Sequence, residues 1–460
     1  MSNSRTASDL GLLDDLDPAG ADLPWEDVSE KLETLRNYIV NGGEVEPLST
    51  ERCLSILRHY AFDTRSNLTS QIALRCLSNI ILLSTPAKQI FVDQGYPELA
   101  ILLLQKDDPV NKFLSARLLF LCTSKPTNYE VDVAMMADTI NASISRFVNI
   151  PIGRPTTNLA TDALCEILKL TCNIAASYPL QSSAFHASRQ PILQILSTLE
   201  IPLRPLQTPI STLIDCLVFL IPDDTSHSAP IPYEEVHITR LVHILDLATQ
   251  AYAEDELGKS CSPLMQVLFL ISQTAPTGIK ALLQTLLLPT DKDRESILGT
   301  GNSLSSRLLR LSTSISADPL RILIQRLLFE LSNNDEKQLI HNIGYGYASG
   351  YLYSMGKQPF THNPARNVGQ EEGGQGREVQ DVNSNQPWIV NSMSLDVNPL
   401  TGQRRDMETQ PNLPEMTPEE KEREAERLFV QFERLRENGI IKVENPVAVA
   451  MREGRLEEDT

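Results

Sequence analysis

The chain is poor in aromatic residues, which fill 5% of its 460 positions, and only two of them are tryptophan. Positive charge is also short: 40 Lys and Arg stand against 59 Asp and Glu, a formal net charge of -19. That balance excludes a general nucleic-acid binder, which needs basic surface to displace counterions from phosphates. It suits a protein that attracts a basic partner. The seven cysteines (Cys53, Cys76, Cys122, Cys165, Cys172, Cys216, Cys261) contain no CxxC pair and sit in apolar helical stretches. An odd count in such surroundings predicts reduced core thiols in a cytoplasmic protein. No basic start followed by an apolar run opens the chain, so no secretory signal is expected. The longest uncharged run, between Lys259 and Lys280, is broken by Gln266, Gln273 and an Ala-Pro-Thr-Gly turn. A membrane span is therefore not expected.

Marks of bond-making chemistry are missing as well. GTGNSLSS (299–306) lacks both the lysine of a phosphate-binding loop and a strand before it. The seven histidines make no HExxH arrangement, and no GxSxG elbow is present. No carboxylate sits in an apolar setting that suggests a tuned acid–base pair. Covalent catalysis, a cofactor and a metal are not expected.

What the sequence does have is helix. From about Trp25 to Met355, apolar stripes such as ALRCLSNIILLS (73–84), FLSARLLFLCTS (113–124), ALCEILKLTCNIA (163–175) and RILIQRLLFEL (321–331) alternate with short polar or Pro/Gly breaks. Leu and Ile recur at i, i+3, i+4 and i+7, on one helical face. Starts are marked at Thr50-Glu51, Asn67, Asp108-Pro109, Thr208-Pro209 and Asp318-Pro319. A helix about every 20 residues, in pairs every 40 to 50, predicts an all-α armadillo/HEAT superhelix, whose units are stable only when stacked.

Four regions follow. Residues 1–24 read as an acidic flexible arm, part of a stretch with nine acids against two bases through Glu33. Residues 25–355 are the repeats. Residues 356–415, rich in Gly, Asn, Gln, Pro and Glu, read as a disordered linker. Within it, PWIVNSMSLDVNPLTG (387–402) is either plain tail or a segment that packs back on the repeats. Residues 416–460 carry a capped helix: Thr417-Pro418-Glu419-Glu420 is a capping box, and Leu428, Phe429, Phe432 and Leu435 form one apolar stripe. Such a helix is marginal alone in water. Its stripe either packs on the repeats or enters a partner's groove.

Polar residues on otherwise apolar repeat helices are the recognition candidates. They are Arg75 and Asn79, Arg117, Lys169 and Asn173, then Arg307 and Arg310, followed by Arg321 and Arg326. Arg and Asn donate to carboxylates and backbone carbonyls, so a ladder of them suits an acidic tail or a free C-terminal carboxylate.

EILKLTCNI (166–174), the run SSRLLRLSTSISADPLRILIQRLLFELSNND (305–335), IGYGYASGYLYSMG (343–356), NPLTG (398–402) and MTPEEKEREAERLFVQFERLRENGII (416–441) together resemble the synembryn family, in its fungal branch. Its members are exchange factors and folding chaperones for heterotrimeric G-protein alpha subunits. The resemblance implies that the chain binds the GDP-bound subunit, takes its C-terminal helix in a concave groove, and holds the nucleotide-free form until GTP binds. It further implies a monomer that is cytoplasmic and reaches the cell cortex through its partner. By position it assigns the groove to Arg75, Asn79, Arg117, Lys169 and Asn173, with Arg307 and Arg310 beside them, and the reaching element to Phe429 and Phe432. Ser392, Ser394 and Thr417 lie near acids and are the phosphorylation candidates, but the dense acidic serine cluster of animal members is absent. The competing reading is an armadillo-type cargo adaptor or scaffold. Importin-like arrays line their groove with repeated Trp–Asn pairs, whereas Trp25 and Trp388 are expected outside the repeat helices.

Overall fold

The computed structural model describes residues 11–18, 23–63, 65–124, 128–153, 158–221, 233–356 and 396–408, together with Thr417, Arg423, Arg427 and Phe429. The chain divides into two units, Met1–Asp406 and Met407–Thr460. Among the described residues there is no strand, only one isolated bridge between Val397 and Arg404.

The first unit is a helical-repeat superhelix of two stacked rows. In one row, Asn67–Leu83 packs on Pro109–Thr123, and Asn158–Ser177, Ile210–Leu220, Ser262–Thr274 and Asp318–Leu331 follow in order, each against the last. Trp25–Val40 closes the near end. In the other row, Tyr96–Leu104 meets Val133–Phe147, then Arg189–Thr198, Glu235–Ala251, Thr277–Leu287 and Leu304–Leu311. Buried apolar residues form one cluster from Leu16 to Leu352 rather than a central ball. No single helical pair buries its own apolar stripe, so each is held by its neighbours.

Local signals place most helix starts. Thr50 accepts from the Cys53 amide at 3.3 Å and Asp108 from the Val110 amide at 2.9 Å. Each satisfies an amide that the first turn leaves unpaired. At 67 the cap is Ser66, one residue earlier than the Asn67 signal. Asp318 lies inside its helix and pairs with Arg321 instead of capping. Trp25 is the first residue of a long helix, packed edge-on against Tyr60 with the Arg65 guanidinium over its ring.

The acidic arm differs from expectation. Leu16 is fully buried, the Tyr60 hydroxyl donates to its carbonyl at 3.0 Å, and Lys31 and Arg52 pair with Asp15 and Asp17. Two leucines within the acidic run, Leu12 and Leu16, supply the apolar area that holds residues 11–18 on the first repeats. Of the linker, residues 396–406 pack on the last helices. The amides of Leu298, Tyr345 and Gly346 donate to the carbonyls of Thr401, Pro399 and Leu400. A Cβ on Gly344 would stand 3.0 Å from the Gly402 amide nitrogen and the Leu400 carbonyl, so the backbones meet where Gly344 has no side chain. The rest of 387–395, and Ser392 and Ser394 with it, lies outside the described residues.

Candidate partner-binding face

The first row keeps one stripe of each helix partly open. On Asn67–Leu83 the stripe holds Arg75 and Asn79, one turn apart. On Pro109–Thr123 it holds Phe113, Arg117 and Phe120, at i, i+4 and i+7. The side chains of Arg75, Asn79 and Arg117 take part in no hydrogen bond or ion pair among the described residues. Their donors are available to a ligand.

On Asn158–Ser177 the stripe runs through Lys169 and Asn173. Lys169 Nζ lies 2.8 Å from Glu166 Oε1, and Asn173 Nδ2 donates to Thr123 Oγ1 of the preceding row helix at 2.7 Å. The lysine therefore neutralises a carboxylate that is almost wholly buried, which an unpaired position would make costly. Both side chains line an open cavity of about 730 Å³. Its walls are Phe120, Val218, Phe219 and Leu323, and its charged residues are Lys169, Lys259 and Asp215. An apolar trough with cations at its edge fits an amphipathic or carboxylate-ended peptide better than a polar metabolite.

Seven of the nine repeat candidates lie on helices of this row, Arg321 and Arg326 on its last one, and the other two lie elsewhere. Arg307 and Arg310 lie on Leu304–Leu311, in the second row. Arg307 is buried; it pairs with Asp246 and donates to Thr249 Oγ1 at 3.0 Å and to the Asn302 carbonyl. Arg310 donates to the carbonyls of Gly299 and Gly301 at 2.6 and 2.7 Å. Both guanidiniums hold the 299–302 loop, whose carbonyls have no helical partners, and so are committed to the fold. Arg326 lies over the Phe269 ring at 4.5 Å and Arg321 pairs with Asp318.

Asp215, Phe219 and Lys259 were missed from sequence. A lone Asp and a terminal Phe in STLIDCLVFL were the available signal, but sequence alone does not say which side of a doubly packed helix is open. In the second unit, Arg423, Arg427 and Phe429 are helical and exposed, as is Thr417 outside the helix. Leu428, Phe432 and Leu435 lie outside the described side chains. Among the described residues no helix is long and apolar enough to cross a membrane.

Residues 31–455 match the family model described as guanine nucleotide exchange factor synembryn. A synembryn-like chaperone of Schizosaccharomyces pombe is 32% identical over 197 residues, 42% of this chain and 35% of that protein. The chaperone Ric-8A of Danio rerio is 25% identical over 462 positions, covering 89% of this chain and 81% of the relative. That of Gallus gallus is 24% identical, covering 86% and 79%.

Proposed function

The chain belongs to the synembryn family, and on that premise we propose that it is an exchange factor and folding chaperone for a heterotrimeric G-protein alpha subunit. The row face takes the C-terminal helix of that partner, with Arg75, Asn79 and Arg117 meeting its polar and carboxylate groups and the apolar trough beside Lys169 and Asn173 meeting its apolar stripe. The capped helix of the segment 416–460, with Leu428, Phe429, Phe432 and Leu435, reaches the partner's nucleotide domain. GDP leaves, the empty subunit is held, and GTP binding releases it. The observation that carries this reading is the set of unpartnered donors beside an apolar trough on one row of helices in a chain that matches the family nearly end to end.

No covalent step is required of such a protein. It must bind the empty subunit more tightly than the loaded one, and nucleotide then weakens its hold by the same factor. Moving a partner from almost fully loaded to mostly empty takes about 5 kcal/mol of differential affinity. A tethered second element adds to that by raising effective concentration. Release of labelled GDP from a purified alpha subunit tests the reading. Full-length protein accelerates release, and a chain ending at residue 415 does so far less. If the full chain neither binds the GDP-loaded subunit nor changes its release rate, the proposal fails.

A further inference from the structure

Three connections, 199–209, 252–261 and 312–317, run from the second row of helices to the first. Each leaves the end of a second-row helix and enters the start of a first-row one, so they stack along one edge of the superhelix. Hydrogen bonds fasten each to the next. The Leu206 amide donates to the Tyr252 hydroxyl at 3.1 Å, and the Arg204 guanidinium lies 4.7 Å over the Tyr252 ring and pairs with Glu256. On the other side, Glu254 Oε2 accepts from the hydroxyls of Ser314 and Ser316 at 2.7 and 3.1 Å. A Cβ on Gly258 would stand 3.3 Å from Ala317 Cα, so the short helix Glu254–Ser260 lies close against the third connection.

Two aliphatic side chains stand out from these fastened turns. Leu203 precedes Arg204 and is 96% exposed; Ile315, between the two bonded serines, is 92% exposed. One exposed leucine is ordinary. Two on neighbouring turns of fixed backbone make a prepared contact, because little ordering cost is left to meet on binding. The edge is continuous with the cavity: Lys259 of the same short helix and Ser262 and Pro263 after it line that cavity, as does Leu323 on the helix that the third connection enters. Asp255, between Glu254 and Glu256, is exposed, and its side chain has no hydrogen bond or ion pair among the described residues.

We infer that Leu203 and Ile315 form the lip of the cavity and make a second contact with the alpha subunit. The lip meets an apolar patch on the folded body of the subunit, with a basic side chain opposite Asp255, while the subunit's C-terminal helix lies in the cavity. This rests on the cavity being where that helix docks. Two linked contacts hold the whole subunit more tightly than its C-terminal helix alone.

The test is the full-length double variant Leu203→Asp with Ile315→Asp. Neither side chain belongs to the core, so the thermal midpoint stays at the wild-type value. Affinity for a purified GDP-loaded alpha subunit falls about tenfold or more, as two apolar contacts become buried carboxylates. A fluorescent peptide copying the subunit's C-terminal helix binds the variant as it binds wild type. Leu203→Met with Ile315→Val, which keeps the apolar surface, holds the subunit nearly as wild type does. Equal subunit affinity in the Asp variant and wild type overturns the second contact. An equal loss for subunit and peptide also overturns it, because the lip then belongs to the peptide's own site. Wild type that binds the subunit but not the peptide removes the docking of the helix in the cavity, and a loss confined to the Asp variant then still supports the lip. Wild type that binds neither removes both.

Discussion

Arg294 and Gly402, 108 positions apart in sequence, are joined by a 3.0 Å hydrogen bond from Arg294 Nη1 to the Gly402 carbonyl. The other arm of the same guanidinium, Nη2, donates to the Asn342 carbonyl at 2.9 Å, and the Arg294 carbonyl accepts from the Arg404 amide at 2.8 Å. Arg294 is buried, with burial pulling its pKa below the ordinary value. One cation therefore ties the NPLTG turn to the helix Glu336–Ile343, and the GYG and NPLTG motifs are two sides of one contact.

Replacing Arg294 with Leu leaves two buried carbonyls without donors, a loss of about 2–4 kcal/mol. Arg294→Lys recovers little of it, because an ammonium does not span two carbonyls as a planar fork does. Urea unfolding of the full chain checks both. An unchanged midpoint in Arg294→Leu would show that the turn contributes nothing to the body.

Gly402 has φ 69°, and a Cβ there would overlap Leu298 Cδ1 and stand 2.8 Å from Leu298 Cγ. Gly402→Ala therefore loosens the turn, at about 1–3 kcal/mol for a non-glycine residue forced into this conformation. The readout is amide hydrogen exchange at Leu298, Tyr345 and Gly346, which donate to the turn. Their exchange speeds up while the Asn158–Ser177 helix is unaffected; equal protection in both proteins would refute the docking.

Arg75→Glu with Arg117→Glu separates recognition from folding. Neither side chain has an internal partner among the described residues, so the double variant keeps its thermal midpoint. Its affinity for the peptide that copies the partner's C-terminal helix falls about tenfold or more, since like charges now face each other. Arg307→Ala shows the converse: it removes the pair with Asp246, lowers stability by about 2 kcal/mol, and leaves peptide affinity intact once folded. Matching effects of the two variants on binding would mean that the assigned face is wrong.

His186 is half-buried beside Arg189, and burial first, then that cation, lower its pKa from 6.5 to about 4. Burial also lowers His237 and His341, with the Arg294 charge a further cause at His341. The folded chain resists protonating these rings, so the unfolded chain binds more protons and stability falls as pH drops from about 6.5 towards 4. Below the folded value the loss is complete and levels off. Chemical denaturation from pH 7 to 4 follows it, and His186→Gln makes the slope shallower. An identical slope in the variant would remove His186 from the account.

The helix phases, most of the starts and the family motifs could be read from the chain, because i, i+3, i+4 periodicity and capping are local. Arg75, Asn79 and Arg117 were legible for the same reason: each is a polar break in an apolar stripe, and the break faces outward. Arg307 and Arg310 looked identical by that test. Whether an arginine greets a partner or braces its own loop depends on which carbonyls the neighbouring helices leave unpaired.

The linear order of residues thus determined an all-helical stacked array and the identity of its donors, since both arise from interactions within a few turns of chain. Only the packed molecule decided that the NPLTG turn lies on the last repeats, that the acidic arm carries buried leucines, and that Arg307 pairs with Asp246. Those contacts join residues tens to hundreds of positions apart, and their free energy comes from burial and close approach that no local pattern encodes.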